Sequence, residues 1–188
     1  MVTDPALPLT GIPFTSRNLV LTGYVEPNKP RVAQQVGAQL AMPVVDAERL
    51  LEDRLGDTME RIRSSYGERR LKTVEAELMQ EVLLRRNSVI RVNGSTLMHG
   101  SHLARMQETS IVVCLVARLD SLLQKLHVSL GARYHNPAER AMEMGLLRRE
   151  WAVRGKPGVH EIDATGVSEA ELVQTIVAFW QKAAIERA

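Results

Sequence analysis

Two rhythms of apolar residues alternate along this chain. Short, nearly continuous runs end in turn residues: Asn18-Leu-Val-Leu-Thr22 before Gly23, Val44-Val45-Asp46, Ser88-Val-Ile-Arg-Val92 before Asn93-Gly94-Ser95, Ser110 to Val116, and the weaker Val159-His-Glu-Ile-Asp163. Runs of this kind predict short strands buried on both faces. Between them, apolar residues recur at every third or fourth position, the spacing of a helix with one buried face. Val32, Val36 and Leu40 share such a face over Arg31 to Ala41, with Pro43 as the stop. From Ala47 the pattern runs through Leu50, Leu51, Leu55, Met59, Ile62, Leu71, Val74, Leu78 and Val82, with breaks at Gly56 and Gly67. Further helices are predicted over 99–108, 118–130, 138–153 and 169–182, the last carrying Leu172, Ile176, Phe179 and Trp180. Strands separated by helices predict an α/β protein, a three-layer sandwich around a parallel sheet. Ligands of such sheets bind beyond the carboxyl ends of the strands. The segments to watch are therefore 23–31, 46–48, 93–95, 131–137 and 148–158. Residues 1–17 hold Pro5, Pro8 and Pro13 with no period and read as a flexible arm, leaving 18–188 as a single domain.

Composition narrows the class. The 188 residues are 45% hydrophobic, with 24 Lys and Arg against 22 Asp and Glu and a net charge of +2. A domain of this size buries about 70% of its unfolded surface and needs no cross-links. The single cysteine, Cys114, lies inside an apolar run and reads as a buried thiol in a reducing, cytoplasmic protein. No apolar run approaches the roughly 20 residues that span a bilayer, so no membrane partner is expected. Arg69-Arg70, Arg85-Arg86 and Arg148-Arg149 sit in helical stretches beside Glu. With no aromatic-interleaved stripe, they read as solvated helix faces and not as a nucleic-acid footprint. His99 and His102 are three apart without a supporting Cys or acid, so no metal site is expected, and His160 reads as a half-buried structural residue.

The first strand-to-helix connection, Gly23-Tyr-Val-Glu-Pro-Asn-Lys29-Pro-Arg, has the place and length of a phosphate-binding loop. A working loop has Gly just before its Lys, so that backbone N–H groups turn onto the phosphates, and Ser or Thr just after it for Mg²⁺. Here those positions are Asn28 and Pro30, Pro27 and Pro30 carry no N–H, and Glu26 adds negative charge. Gly23 and Lys29 alone match. Glu26 beside Lys29 and Arg31 could instead form a local salt bridge in the phosphate site.

In order and spacing, the chain from Asn18 to Ala183 resembles the shikimate kinases, small P-loop phosphotransferases. Gly23–Lys29 stands where that family has its Walker A loop, and Asp46-Ala47-Glu48 resembles its Asp-x-Asp segment with the second acid changed to Glu. Gly67-Glu-Arg-Arg-Leu-Lys72-Thr-Val-Glu75 is similar to its Gly-Glu-x-x-Phe-Arg-x-x-Glu motif, with Lys72 for the substrate-binding Arg. Asn93-Gly94-Ser95 falls on the segment that normally reads Gly-Gly-Gly. Arg133 falls at the lid arginine, and Arg148 at the second substrate-binding Arg, after which the usual Pro-Leu-Tyr becomes Glu150-Trp151-Ala152. The resemblance implies a P-loop kinase-like fold, a five-stranded parallel sheet of order 2-3-1-4-5, a substrate-side helical pair near 47–86 and a lid near 129–137. It also implies that Glu48, Lys72, Gly94 and Arg148 face a substrate and that Gly23, Lys29 and Arg133 face a nucleotide. Lys29 and Asp46 would be catalytic only in an active enzyme.

Two readings of function follow. On the favoured one, the rewritten loop marks a catalytically degenerate protein that acts by binding a protein partner or a small acidic metabolite, with no cofactor. Lys72 offers a carboxylate only a point charge where Arg would offer a fork, so binding of such a metabolite is expected to be weak. On the alternative, it is an active small-molecule kinase using ATP and Mg²⁺, with Lys29 on the phosphates and Asp46 at the metal or the attacking hydroxyl. Each group also has an ordinary structural role open to it: Asp46 as a helix cap, Lys72 on an exposed helix face, Arg148 in a surface ion pair.

Overall fold

The computed structural model describes residues 16–23, 31–58, 61–62, 65 and 67–185. Five strands form one all-parallel sheet: β1 (Asn18–Gly23), β2 (Val44–Asp46), β3 (Val89–Arg91), β4 (Ser110–Val116) and β5 (Val159–Asp163). Their order is β2-β3-β1-β4-β5, as expected. The helices are α1 (Arg31–Leu40), α2 (Ala47–Leu55), α3 (Glu68–Leu83), α4 (Gly94–Leu97), α5 (His102–Thr109), α6 (Leu119–Leu130), α7 (Pro137–Glu150) and α8 (Glu169–Ile185), with 3-10 turns at Gly131–His135 and Trp151–Val153.

Strand periodicity divides the core into two layers. Leu19 and Leu21 of β1, with Ile111, Val113 and Leu115 of β4, pack against α1 and α8 through Val36, Leu172, Ile176 and Trp180. Val20, Val112, Cys114 and Val116 point the other way, onto Leu51 of α2 and Leu78, Met79 and Val82 of α3. A residue-by-residue switch of face is what a strand imposes, and both faces are covered because both sets are apolar. The buried Asn18 locks the start of the sheet: its amide nitrogen donates to the carbonyl of Arg85 at 2.8 Å and its oxygen accepts the Ser88 N–H at 3.1 Å. Cys114 is buried, and burial pushes its thiol up to about 12, so it is unreactive.

Several boundaries differ from expectation. The helix expected over 99–108 is α5, His102–Thr109, and the segment 93–95, read as a turn, instead opens the short helix α4, which Asn93 caps. The helix expected over 138–153 gives way after Glu150 to a 3-10 turn, held by the Trp151 indole N–H donating to the Leu115 carbonyl at 3.1 Å. Ser16 and Arg17, assigned above to the arm, belong to the fold: Arg17 is buried and Ser16 accepts the Asn87 N–H. The rest of that arm lies outside the described residues. Among the described residues no helix is long and apolar enough to cross a membrane.

Candidate ligand-binding site at the carboxyl ends of the strands

Three of the expected segments converge where β2, β3 and β1 end. Asp46 closes β2 and caps α2, its Oδ1 accepting the N–H groups of Glu48 at 3.1 Å and Arg49 at 3.3 Å. Because α2 begins at once, Glu48 lies in its first turn, close to the end of the sheet. Beside them, Asn93 caps α4 by accepting from the Ser95 N–H at 2.9 Å and the Ser95 hydroxyl at 2.7 Å. Gly94 is buried there for a steric reason: a Cβ would meet the Glu150 carbonyl oxygen at 2.2 Å. Its missing side chain is what lets the end of α7 settle on the β3–α4 junction.

A cleft of about 250 Å³ opens between α2, α3 and α4. Its floor is apolar, from Ala47, Leu51, Leu71, Leu78, Met79 and Val92, and its polar groups are Glu48, Lys72, Glu75, Asn93, Ser95, Thr96 and Arg149. Two cations, two carboxylates, an amide and two hydroxyls around an apolar floor can ion-pair and hydrogen-bond with a small polar molecule.

Beneath the cleft lies a charge cluster that sequence reading did not foresee. Arg91, the last residue of β3, is paired in register with Asp46 of β2. Its Nη1 lies 3.2 Å from both Asp46 carboxylate oxygens and 3.2 Å from Glu48 Oε2, and its Nη2 lies 4.0 Å from Glu150 Oε1. Burial works against the Arg91 charge, but Asp46, Glu48 and Glu150 outweigh it and hold its pKa above the usual arginine value. Glu150 is buried at the end of α7, accepting the Asn93 amide at 3.3 Å together with the N–H groups of Gly94 and Gly23. Burial and the neighbouring Glu48 carboxylate push its pKa up to about 8, against the opposing pull of Arg91 and those N–H donors.

Of the residues singled out from sequence, Glu48 and Lys72 line the cleft, while Asp46 and Gly94 support it from β2 and α4. Arg148 is exposed and does not line it, whereas its neighbour Arg149 is in the wall. Adjacent residues of a helix are about 100° apart, so one position decides which arginine faces the cleft. Gly23 ends β1 with φ +98 against the Leu115 backbone and donates to Glu150. Lys29 and the rest of 24–30 lie outside the described residues, as does the side chain of Arg133. The segment expected as a lid is in part the 3-10 turn Gly131–His135, in which Tyr134 stacks on His127 at 4.7 Å.

With this geometry in view, comparison with known proteins is decisive for ancestry. The sequence profile of the family described as Shikimate kinase matches residues 28–181. The chain belongs to the shikimate kinase family. A shikimate kinase of Thermodesulfovibrio yellowstonii is 24% identical over 169 residues, covering 88% of this chain and 96% of that protein. One from Thermus thermophilus is 25% identical, with 88% and 91% covered. Among solved structures, shikimate kinase from Acinetobacter baumannii in complex with shikimate superposes with a TM-score of 0.72 at 18% identity, covering 90% of this chain and 95% of that one. A gluconokinase from Sinorhizobium meliloti shares the fold at a TM-score of 0.58 and 14% identity. The shikimate-kinase fold and a kinase-like ancestry are thus established for this chain.

Proposed function

We propose that the protein binds a small polyhydroxylated carboxylic acid of the shikimate kind in the α2–α3–α4 cleft, and that binding, not phosphoryl transfer, is its activity. The cleft lining carries this reading: Lys72 and Arg149 can share the carboxylate, while Glu48, Glu75 and Asn93 can take ring hydroxyls. The relative solved with shikimate, TM-score 0.72, supports that ligand class.

A second reading, an ATP-dependent phosphotransferase, is favoured by a different observation: the relatives over nearly their whole length are shikimate kinases. That activity implies ATP and Mg²⁺. The described residues do not fit the metal as they are arranged, since Asp46 and Glu48 are both engaged by Arg91. The second reading therefore requires both contacts to be given up.

Calorimetric titration with shikimate, followed by an ADP-release assay with shikimate and Mg-ATP, separates the readings. Saturable shikimate binding with no ADP release is the expected outcome. Shikimate-dependent ADP release would establish the phosphotransferase, and failure of shikimate and related hydroxy acids to bind would remove the binding reading.

A further inference from the structure

The acidic pair of the site already carries a cation of its own. Register pairing places Arg91 directly beside Asp46, so the two side chains leave the same face of neighbouring strands. The guanidinium then spans to Glu48 on the first turn of α2, at 3.2 Å from each carboxylate. It is about a quarter exposed, and Asp46 and Glu48 are no more exposed than that, so the contacts are shielded from bulk water and salt.

Every Asp46 oxygen is in use. Oδ1 accepts two α2 N–H groups as well as Arg91, and Oδ2 accepts Arg91 again. Magnesium demands near-octahedral oxygen ligands at roughly 2.1 Å and is held by one or two carboxylates. It could reach Asp46 only by displacing a planar cation tied to the sheet by its own backbone. Among the described residues no group of three or more His, Cys, Asp and Glu is gathered to hold a metal ion.

We propose that Arg91 is a tethered cation standing in for a divalent metal ion at the Asp46–Glu48 pair, which makes this site independent of divalent cations. Arg91 is thereby a positioning residue for the cleft, since it holds Glu48, one of the lining carboxylates, in place. Removing the guanidinium should uncover an ordinary two-carboxylate cation site.

The test is Mn²⁺ titration of the full chain alone, followed by the electron paramagnetic resonance signal of the free ion. It needs no organic ligand, so its outcome is separate from that of the acid-binding reading. The wild-type protein should show only weak binding, with a Kd above roughly 1 mM. Arg91→Met should tighten Mn²⁺ binding by roughly 10- to 100-fold, and Asp46→Asn added to it should abolish the gain. Arg91→Lys, which keeps the charge without the fork, should fall between and serves where Arg91→Met fails to fold. Tight Mn²⁺ binding by the wild-type protein that is lost in Asp46→Asn would overturn the proposal. So would a folded Arg91→Met that binds no better than wild type.

Discussion

Replacing Glu150 by Gln isolates the most unusual ionisation in the molecule. In the folded protein this carboxyl is pushed up to about 8 from an ordinary value of 4.5, first by burial and then by Glu48. Arg91 and the N–H groups of Gly94 and Gly23 pull the other way, and Asn93 donates to it at 3.3 Å. Between those two values the folded chain holds a proton that the unfolded chain has released. The native state then binds more protons, so stability falls as pH rises through the window and levels off above it. At about 1.4 kcal/mol per pH unit, this one group removes roughly 3 kcal/mol between about pH 5 and pH 8. Gln keeps an oxygen for the Asn93, Gly94 and Gly23 donors and never ionises. Urea unfolding, followed by the fluorescence of Trp151 and Trp180, measures both proteins across the range. Contributions common to the two proteins cancel, so the difference between the curves reports the ionisation that Gln removes at position 150. That difference should grow by roughly 3 kcal/mol in favour of Glu150→Gln from about pH 5 to pH 8. A difference that stays constant with pH would refute the reasoning.

Other substitutions test the remaining parts of the site. Arg149→Met should weaken shikimate binding about tenfold or more, the worth of one charge-assisted contact, whereas Arg148→Met should leave it within about twofold; equal losses in calorimetry would mean that the cleft wall is not the one described. Gly94→Ala sets a Cβ 2.2 Å from the Glu150 carbonyl and 2.9 Å from that of Arg149. Both are backbone atoms that cannot rotate away, so a loss of about 2–3 kcal/mol is expected in thermal melts, and an unchanged Tm would contradict that packing. Asp46→Asn keeps the α2 cap but loses the ion pair with Arg91, while Asp46→Ala loses both. The alanine variant should therefore be less stable by about 1 kcal/mol more, a gap that vanishes if the cap is not formed.

The sheet could be read from the chain because its strands are covered on both faces. Continuous runs such as Ser110 to Val116 have no other stable place, and all seven of those residues are buried. Asp46 was legible as a helix cap, since Ala47 starts a helix directly behind it. Arg91 was overlooked because it sits in a run read as a buried strand. A signal was there: a charge among Val89, Ile90 and Val92 must find a partner, and charged residues are almost never buried without one. Glu150 offered no comparable sign, being one acid among several charges at the end of a helix. The choice between Arg148 and Arg149 could not be made from spacing, because a helix turns each residue away from the last.

By itself, the sequence determined the order of strands and helices, the burial of the strands on both faces, the loop in which Asn28 and Pro30 flank Lys29, and the family to which the chain belongs. Those properties rest on local patterning and on motifs counted along the chain. Only the tertiary structure decided that Arg91 fills the space between Asp46 and Glu48, that Glu150 lies beneath both and takes the N–H of Gly23, and that Arg149 enters the cleft wall. Each of these joins residues far apart in sequence, up to 127 positions between Gly23 and Glu150. Their electrostatics depend on ångström distances and on burial, which hydrophobic periodicity does not encode.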